Sequence, residues 1–167
     1  MPARGVHFSL SEDEVQELLR FDLDCERLEH LQEVIEDEYF EKQPERKVES
    51  DKAWDAMHRV LSTWELPPKS GLHPMENVIL GGESIYGDDD YLMSLKTPAQ
   101  VADAAAALAN VEEREFKRRY LAIDSAEYDG EISEQDFAYT WEWFQEVRQF
   151  WMLAAAEGRY VLFTADQ

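Results

Sequence analysis

The stretch ISEQDFAYTWEWFQEVRQFWMLAAAEG, residues 132–158, limits the possible folds more than any other part of this chain. Ser133 stands where a helix N-cap would sit, with Asp136 three residues on, and Gly158 stands where a helix would stop. At about 100° per residue, Phe137, Trp141, Phe144 and Trp151 fall in one row, and Trp143, Val147 and Phe150 in an adjacent one. Glu142, Glu146 and Gln149 oppose them. Rings covering more than half the circumference of a helix must be packed against something, so this helix is expected at the centre of the core. The run RYVLFTA after Gly158 reads as a strand, bounded by the helix stop and the end of the sequence.

Other elements follow from the same periodicities. GVHFSL alternates Val6, Phe8 and Leu10 with Gly5, His7 and Ser9, the pattern of a half-buried strand. Ser11 and Glu14 form a capping-box pair, and Leu10 and Val15 a hydrophobic staple, at the start of a first helix. Phe21, Cys25, Leu28, Leu31, Ile35 and Tyr39 share one stripe of an acidic amphipathic helix, which places Cys25 in the core. The polar segment 41–50 reads as a connection. A helix with Ser50 or Asp51 as cap carries Trp54, Met57, Leu61 and Trp64 on one face, and ELPPKSGLHPME then forms an irregular loop able to hold a binding surface. Two strand-like runs within VILGGESIYGDDDYLMSL come next. Thr97 caps and Pro98 opens an alanine-rich helix, and EEREFKRRYL is helical, with Arg114, Lys117, Arg118 and Arg119 expected to pair with nearby acids. Tyr128, Asp129 and Gly130 mark a turn.

The chain has 167 residues, enough for one domain that withdraws about two-thirds of its unfolded surface from water. It carries 37 acidic and 16 basic residues, a net charge of −21. Such a field repels nucleic-acid phosphates and anionic lipid heads and favours encounter with a basic protein. No apolar run reaches the length of a membrane span, and MPARGVHFSLSEDEV lacks a signal-peptide core, so a soluble cytoplasmic monomer is expected. With Cys25 as the sole cysteine, neither an internal disulfide nor a thiolate cluster can form.

The chemical motifs are sparse. GGESIYGDDD has carboxylates where a phosphate-binding loop needs Lys and a hydroxyl, and its contiguous Asp88, Asp89 and Asp90 lack the alternate spacing of a calcium loop. Gly81 and Gly82 read as backbone punctuation, and the aspartates as a solvated turn. His58 lies at the edge of an apolar helix face, one turn after Asp55, and His7 could bring a second imidazole; together they make a candidate cleft for a ligand or an acid–base reaction. The alternative is a histidine held at a core boundary. Di-iron bundles need two Glu-x-x-His units, and only one Asp-x-x-His is present, so no metal or cofactor is expected. There is no Gly-x-Ser-x-Gly elbow. Arg148 interrupts the aromatic arc and is expected to pair with an internal acid while stacking on Trp141 or Phe144.

DKAWDAMHRVLS, VILGGESIY, YLMSLKTPAQV and GRYVLFTADQ, in this order, resemble the YfbM-like family of bacterial proteins, a domain of unknown function. The likeness runs almost end to end. It implies one compact α+β domain over residues 1–167, with a small, mostly antiparallel sheet of about four strands and five or six helices, and it implies no established reaction. If the family shares a pocket, Asp51, Trp54, His58, Gly81, Gly82 and Glu83 lie in its recurrent segments. With His7, Asp55 and Arg148 these are the candidate site residues. The reading drawn from them is an acidic, non-enzymatic interaction protein, an inhibitor or immunity-like module for a basic partner. The rival is an enzyme or small-ligand binder at His58, His7 and Asp55.

Overall fold

The computed structural model describes residues 4–64 and 74–167. Most of the proline-rich loop, including His73, lies outside the described residues. Five strands form one antiparallel sheet: β1 (Gly5–Leu10), β2 (Lys47–Asp51), β3 (Glu83–Ser84), β4 (Tyr91–Lys96) and β5 (Tyr160–Asp166). Their order is β2-β1-β5-β4-β3, so β5, the last strand in sequence, is the central one. One strand more is present than the sequence led us to expect. It is β2, in the segment read as a connection; its sequence KVESD lacks the β-branched and aromatic run of a central strand, as an edge position allows.

Helices cover both faces of the sheet. On one face lie α1 (Glu12–Leu19), α2 (Asp24–His30) and α3 (Asp37–Glu41). A π-helical segment, Leu31–Glu36, joins α2 to α3 without a break. On the other face lie α4 (Trp54–Ser62), α5 (Pro98–Leu108), α6 (Glu113–Tyr120) and the 23-residue α7 (Glu134–Ala156). Counting the α2–α3 run once, six helices are present among the described residues.

The alternation of β1 now has a different meaning. Phe8 and Leu10 pack with Leu18, Leu31, Ile35, Tyr39 and Leu162 under α1–α3. His7 and Ser9 point the other way, and they too are buried. The strand is therefore covered on both faces, because β1 lies inside a sheet between two helical layers. The second core gathers Trp54, Met57, Phe116, Phe137, Phe144, Val147, Trp151 and Phe163 from α4, α6, α7 and β5.

Capping explains where several helices begin. Ser11 and Glu14 bond reciprocally at α1, and Thr97 and Gln100 do the same at α5, where Pro98 takes the first turn. At α7 the Ser133 hydroxyl accepts from the Asp136 amide, while the Asp136 carboxylate accepts from the phenols of Tyr120 and Tyr128. This fixes the Tyr128 turn against the helix start. The expected cap of α4 is not formed: Ala53 occupies the N-cap and makes no side-chain bond, and Ser50 belongs to β2.

Cys25 is exposed, against expectation. The helix begins only at Asp24, and about 100° per residue places Cys25 some 120° around from Leu31. Its neighbours Arg27 and Leu28 lie nearer the sheet. Among the described residues, no helix is long and apolar enough to cross a membrane.

Candidate functional site

The sequence candidates occupy three places. Three of them, His7, Trp54 and Asp51, lie where β1 meets β2, with Ser50 and Trp54 packed against Gly5. His7 stands opposite Val48 and Phe163 in the sheet register. Its ring lies 4.9 Å from Phe163 and 6.1 Å from Phe150, and among the described residues neither ring nitrogen has a hydrogen-bond partner. Burial lowers its pKa well below the ordinary histidine value, so the ring is neutral. Trp54 packs 5.7 Å from Phe163. Asp51 adopts φ 42°, unusual for a residue with a side chain, and accepts a 2.6 Å bond from the Tyr139 phenol. Its other carboxylate oxygen is 3.5 Å from Arg4.

The second place is the turn that leads from the 3-10 helix Pro74–Val78 to β3. His58, on α4, is partly buried; its Nδ1 is buried without a partner among the described residues, and burial lowers its pKa. Asp55 does not orient it. The Asp55 carboxylate instead holds Arg59 at 2.9 Å, one turn along the same helix. Gly81 and Gly82 both prove necessary to the backbone: a Cβ at Gly81 would meet the Glu76 carbonyl, and one at Gly82, where φ is +84°, would meet the Leu95 carbonyl. Glu83 is exposed and pairs with Leu95 in the β3–β4 ladder.

Lys96 escaped the sequence reading. It is fully buried, and its amine donates to the carbonyls of Ile79 and Ser94. No carboxylate bonds to it among the described residues, and burial holds the amine far below the ordinary lysine pKa. The available signal was alternation along β4: Tyr91, Met93 and Leu95 belong to the α1–α3 core, which leaves Leu92, Ser94 and Lys96 facing α4–α7.

Arg148, the third place, stands apart on α7. It stacks 5.8 Å from Trp141 and 5.4 Å from Phe144, as expected. Its bonds, however, go to the Val111 carbonyl and the Gln145 side chain rather than to an acid, since Val111 sits at the uncapped break between α5 and α6 and offers a carbonyl within reach. Three of the four basic residues of α6 are paired: Glu115 holds both Arg118 and Arg119, and Lys117 meets Glu134.

An open concavity of about 630 Å³ lies between α4 and α6, lined by Arg59, Thr63, Arg118, Arg119, Asp124 and Glu127 among others. Neither His7, His58 nor Asp55 lines it. Among the described residues no three His, Cys, Asp or Glu side chains lie close enough to hold a metal ion.

Residues 1–164 match the family described as DUF1877, a domain of unknown function. The chain belongs to this family. No curated protein matches it. Among solved structures it is similar to YfbM of Escherichia coli, itself described as a protein of unknown function, with a TM-score of 0.66 and 17% identity over 97% of this chain and 99% of that one. At that identity the likeness concerns the fold alone.

Proposed function

We propose that this DUF1877 protein is a non-enzymatic interaction module whose α1–α3 layer docks a basic protein, in the manner of an inhibitor or immunity factor. One observation carries the reading. Glu26, Glu29, Glu33, Asp37 and Glu41 are all exposed along the continuous α2–α3 run, and none of them makes an ion pair among the described residues. Leu23 and Val34 are exposed beside them, at 57% and 49%. Acids that fold without internal cations keep their full charge for an outside partner, and the apolar side chains among them add contact area that charge alone lacks. A cleft reaction at His58 has less support, because Asp55 is committed to Arg59 and His7 is enclosed by rings.

The test uses a lysine-rich amphipathic helical peptide as probe. Binding is expected at low ionic strength, weakening as salt rises. Reversal of Glu26, Glu29 and Glu33 to lysine should weaken it at least about tenfold, while reversal of Asp103, Glu142 and Glu146 on the opposite layer should change it by no more than about twofold. Equal losses in the two variants would show that net charge alone attracts the peptide.

A further inference from the structure

The turn over Lys96 is fastened in an unusual way. Three successive carbonyls, Ile79, Leu80 and Gly81, accept from only two side chains, and both project from the same face of β4. The Lys96 amine donates to Ile79, and the Ser94 hydroxyl to Leu80 and Gly81. Gly82 then passes so close to the strand that an added Cβ would lie 3.2 Å from Lys96 Cγ. Residues 79–82 thus cover a lysine whose amine bonds only to backbone oxygens among the described residues.

Among the described residues the surroundings of that amine offer no counter-charge to bury with it. His7 faces this core from β1, and His58 faces it from α4; both are held neutral by burial. Glu76 of the 3-10 helix and Arg59 of α4 act on His58 from the rim with opposite signs. The remaining elements contribute apolar groups, Val101 and Ala104 from α5, Phe150 from α7 and Phe163 from β5, the last 5.5 Å from the amine. A lysine enclosed this way sheds its proton, and it regains the proton once water reaches it.

We propose that residues 79–82 form a proton-coupled strap, which lifts from β4 without global unfolding and takes up one proton at Lys96 each time it opens. The sign follows from linkage. The open form binds the proton that the closed form lacks, so above the closed-form value and below the ordinary lysine value the opening equilibrium falls about tenfold for each unit that pH rises. Acid opens the strap and base fastens it.

Hydrogen exchange at the Gly81 amide reads this directly, because that amide donates to the Glu76 carbonyl at 2.9 Å when the strap is closed. Chemical exchange of an open amide accelerates in proportion to hydroxide. Between about pH 7.5 and about pH 9.5, above the histidine range and below that of an exposed lysine, the two dependences cancel. The wild-type Gly81 rate should therefore stay flat with pH and exceed the rates of the β1–β5 ladder amides. Lys96→Met should restore acceleration with hydroxide. Ser94→Ala should speed exchange at every pH and leave the profile flat. A wild-type rate rising in proportion to hydroxide overturns the proposal, as does a Gly81 rate that matches the ladder amides in both magnitude and denaturant dependence.

Discussion

The two faces of the sheet are built on different terms. Under α1–α3 the core is largely aliphatic, and its polar groups are joined. The Tyr39 phenol donates to the Ser9 carbonyl at 2.9 Å and to Glu14 at 2.8 Å; Arg159 donates to Ser9 and approaches the same carboxylate at 3.5 Å. Under α4–α7 the core holds most of the buried rings and leaves polar atoms unbonded: His7, Ser50, His58, Thr140 and Trp151 each keep at least one buried polar atom without a partner among the described residues. The outer surfaces differ as well. The bonded layer carries acids without ion pairs among the described residues, whereas Lys117, Arg118 and Arg119 of the other layer are paired with Glu134 and Glu115. The contrast teaches that several buried polar side chains of the α4–α7 face are held by packing, whereas Tyr39 and Arg159 under α1–α3 are held by specific bonds that also frame the acidic helices.

The largest effects should come from packing. Trp151→Ala is expected to cost about 3–5 kcal/mol in urea unfolding, and Leu31→Ala in the aliphatic core about 2–5 kcal/mol. A cost for Trp151→Ala within the roughly 0.5 kcal/mol of a surface change would show that its ring is not held by packing. Smaller effects should separate bonded from unbonded polar groups: Tyr39→Phe should cost about 1–2 kcal/mol, because it strips a donor from two acceptors, while Thr140→Val should be nearly neutral or stabilising. If Thr140→Val destabilises as much as Tyr39→Phe, the hydroxyl has a partner and the contrast fails.

The smallest difference is in pH response. His7 and His58 have folded pKa values lowered chiefly by burial. Their contribution to stability is present above the unfolded histidine value and is lost as pH falls below about 6.5. Glu36, beneath the other layer, has its pKa raised, chiefly by desolvation. Its contribution has the opposite sign, being complete below the unfolded carboxylate value and lost as pH rises through the folded one. Between about pH 6.5 and about pH 5, wild-type stability should fall more steeply than that of His7→Leu and less steeply than that of Glu36→Gln. Superimposed slopes would show that neither layer titrates as described.

Much of the fold was legible because its signals are local. The α7 rings, the Ser11 and Thr97 caps and the β5 run each follow from a few neighbouring residues. What was hidden depends on partners distant in sequence. β2 is a strand only because β1 lies beside it, and His7 is buried only because α7 covers the second face of β1. The π-helical turn between α2 and α3 changes the phase of a stripe read at a single period, and Cys25 was placed inward because the stripe was begun at Phe21, before the helix starts at Asp24. The candidate site was legible in pieces. Gly81 and Gly82 were read correctly as backbone features, yet the residue they cover, Lys96, gave no signal beyond its parity in β4.

The docking surface is tested most directly by an NMR titration with the lysine-rich helical peptide. Shift changes are expected to concentrate on residues 23–41 and to fade together as salt is raised. Changes centred instead on α4, around His58, or spread evenly over both layers, would contradict an acidic face reserved for a basic partner.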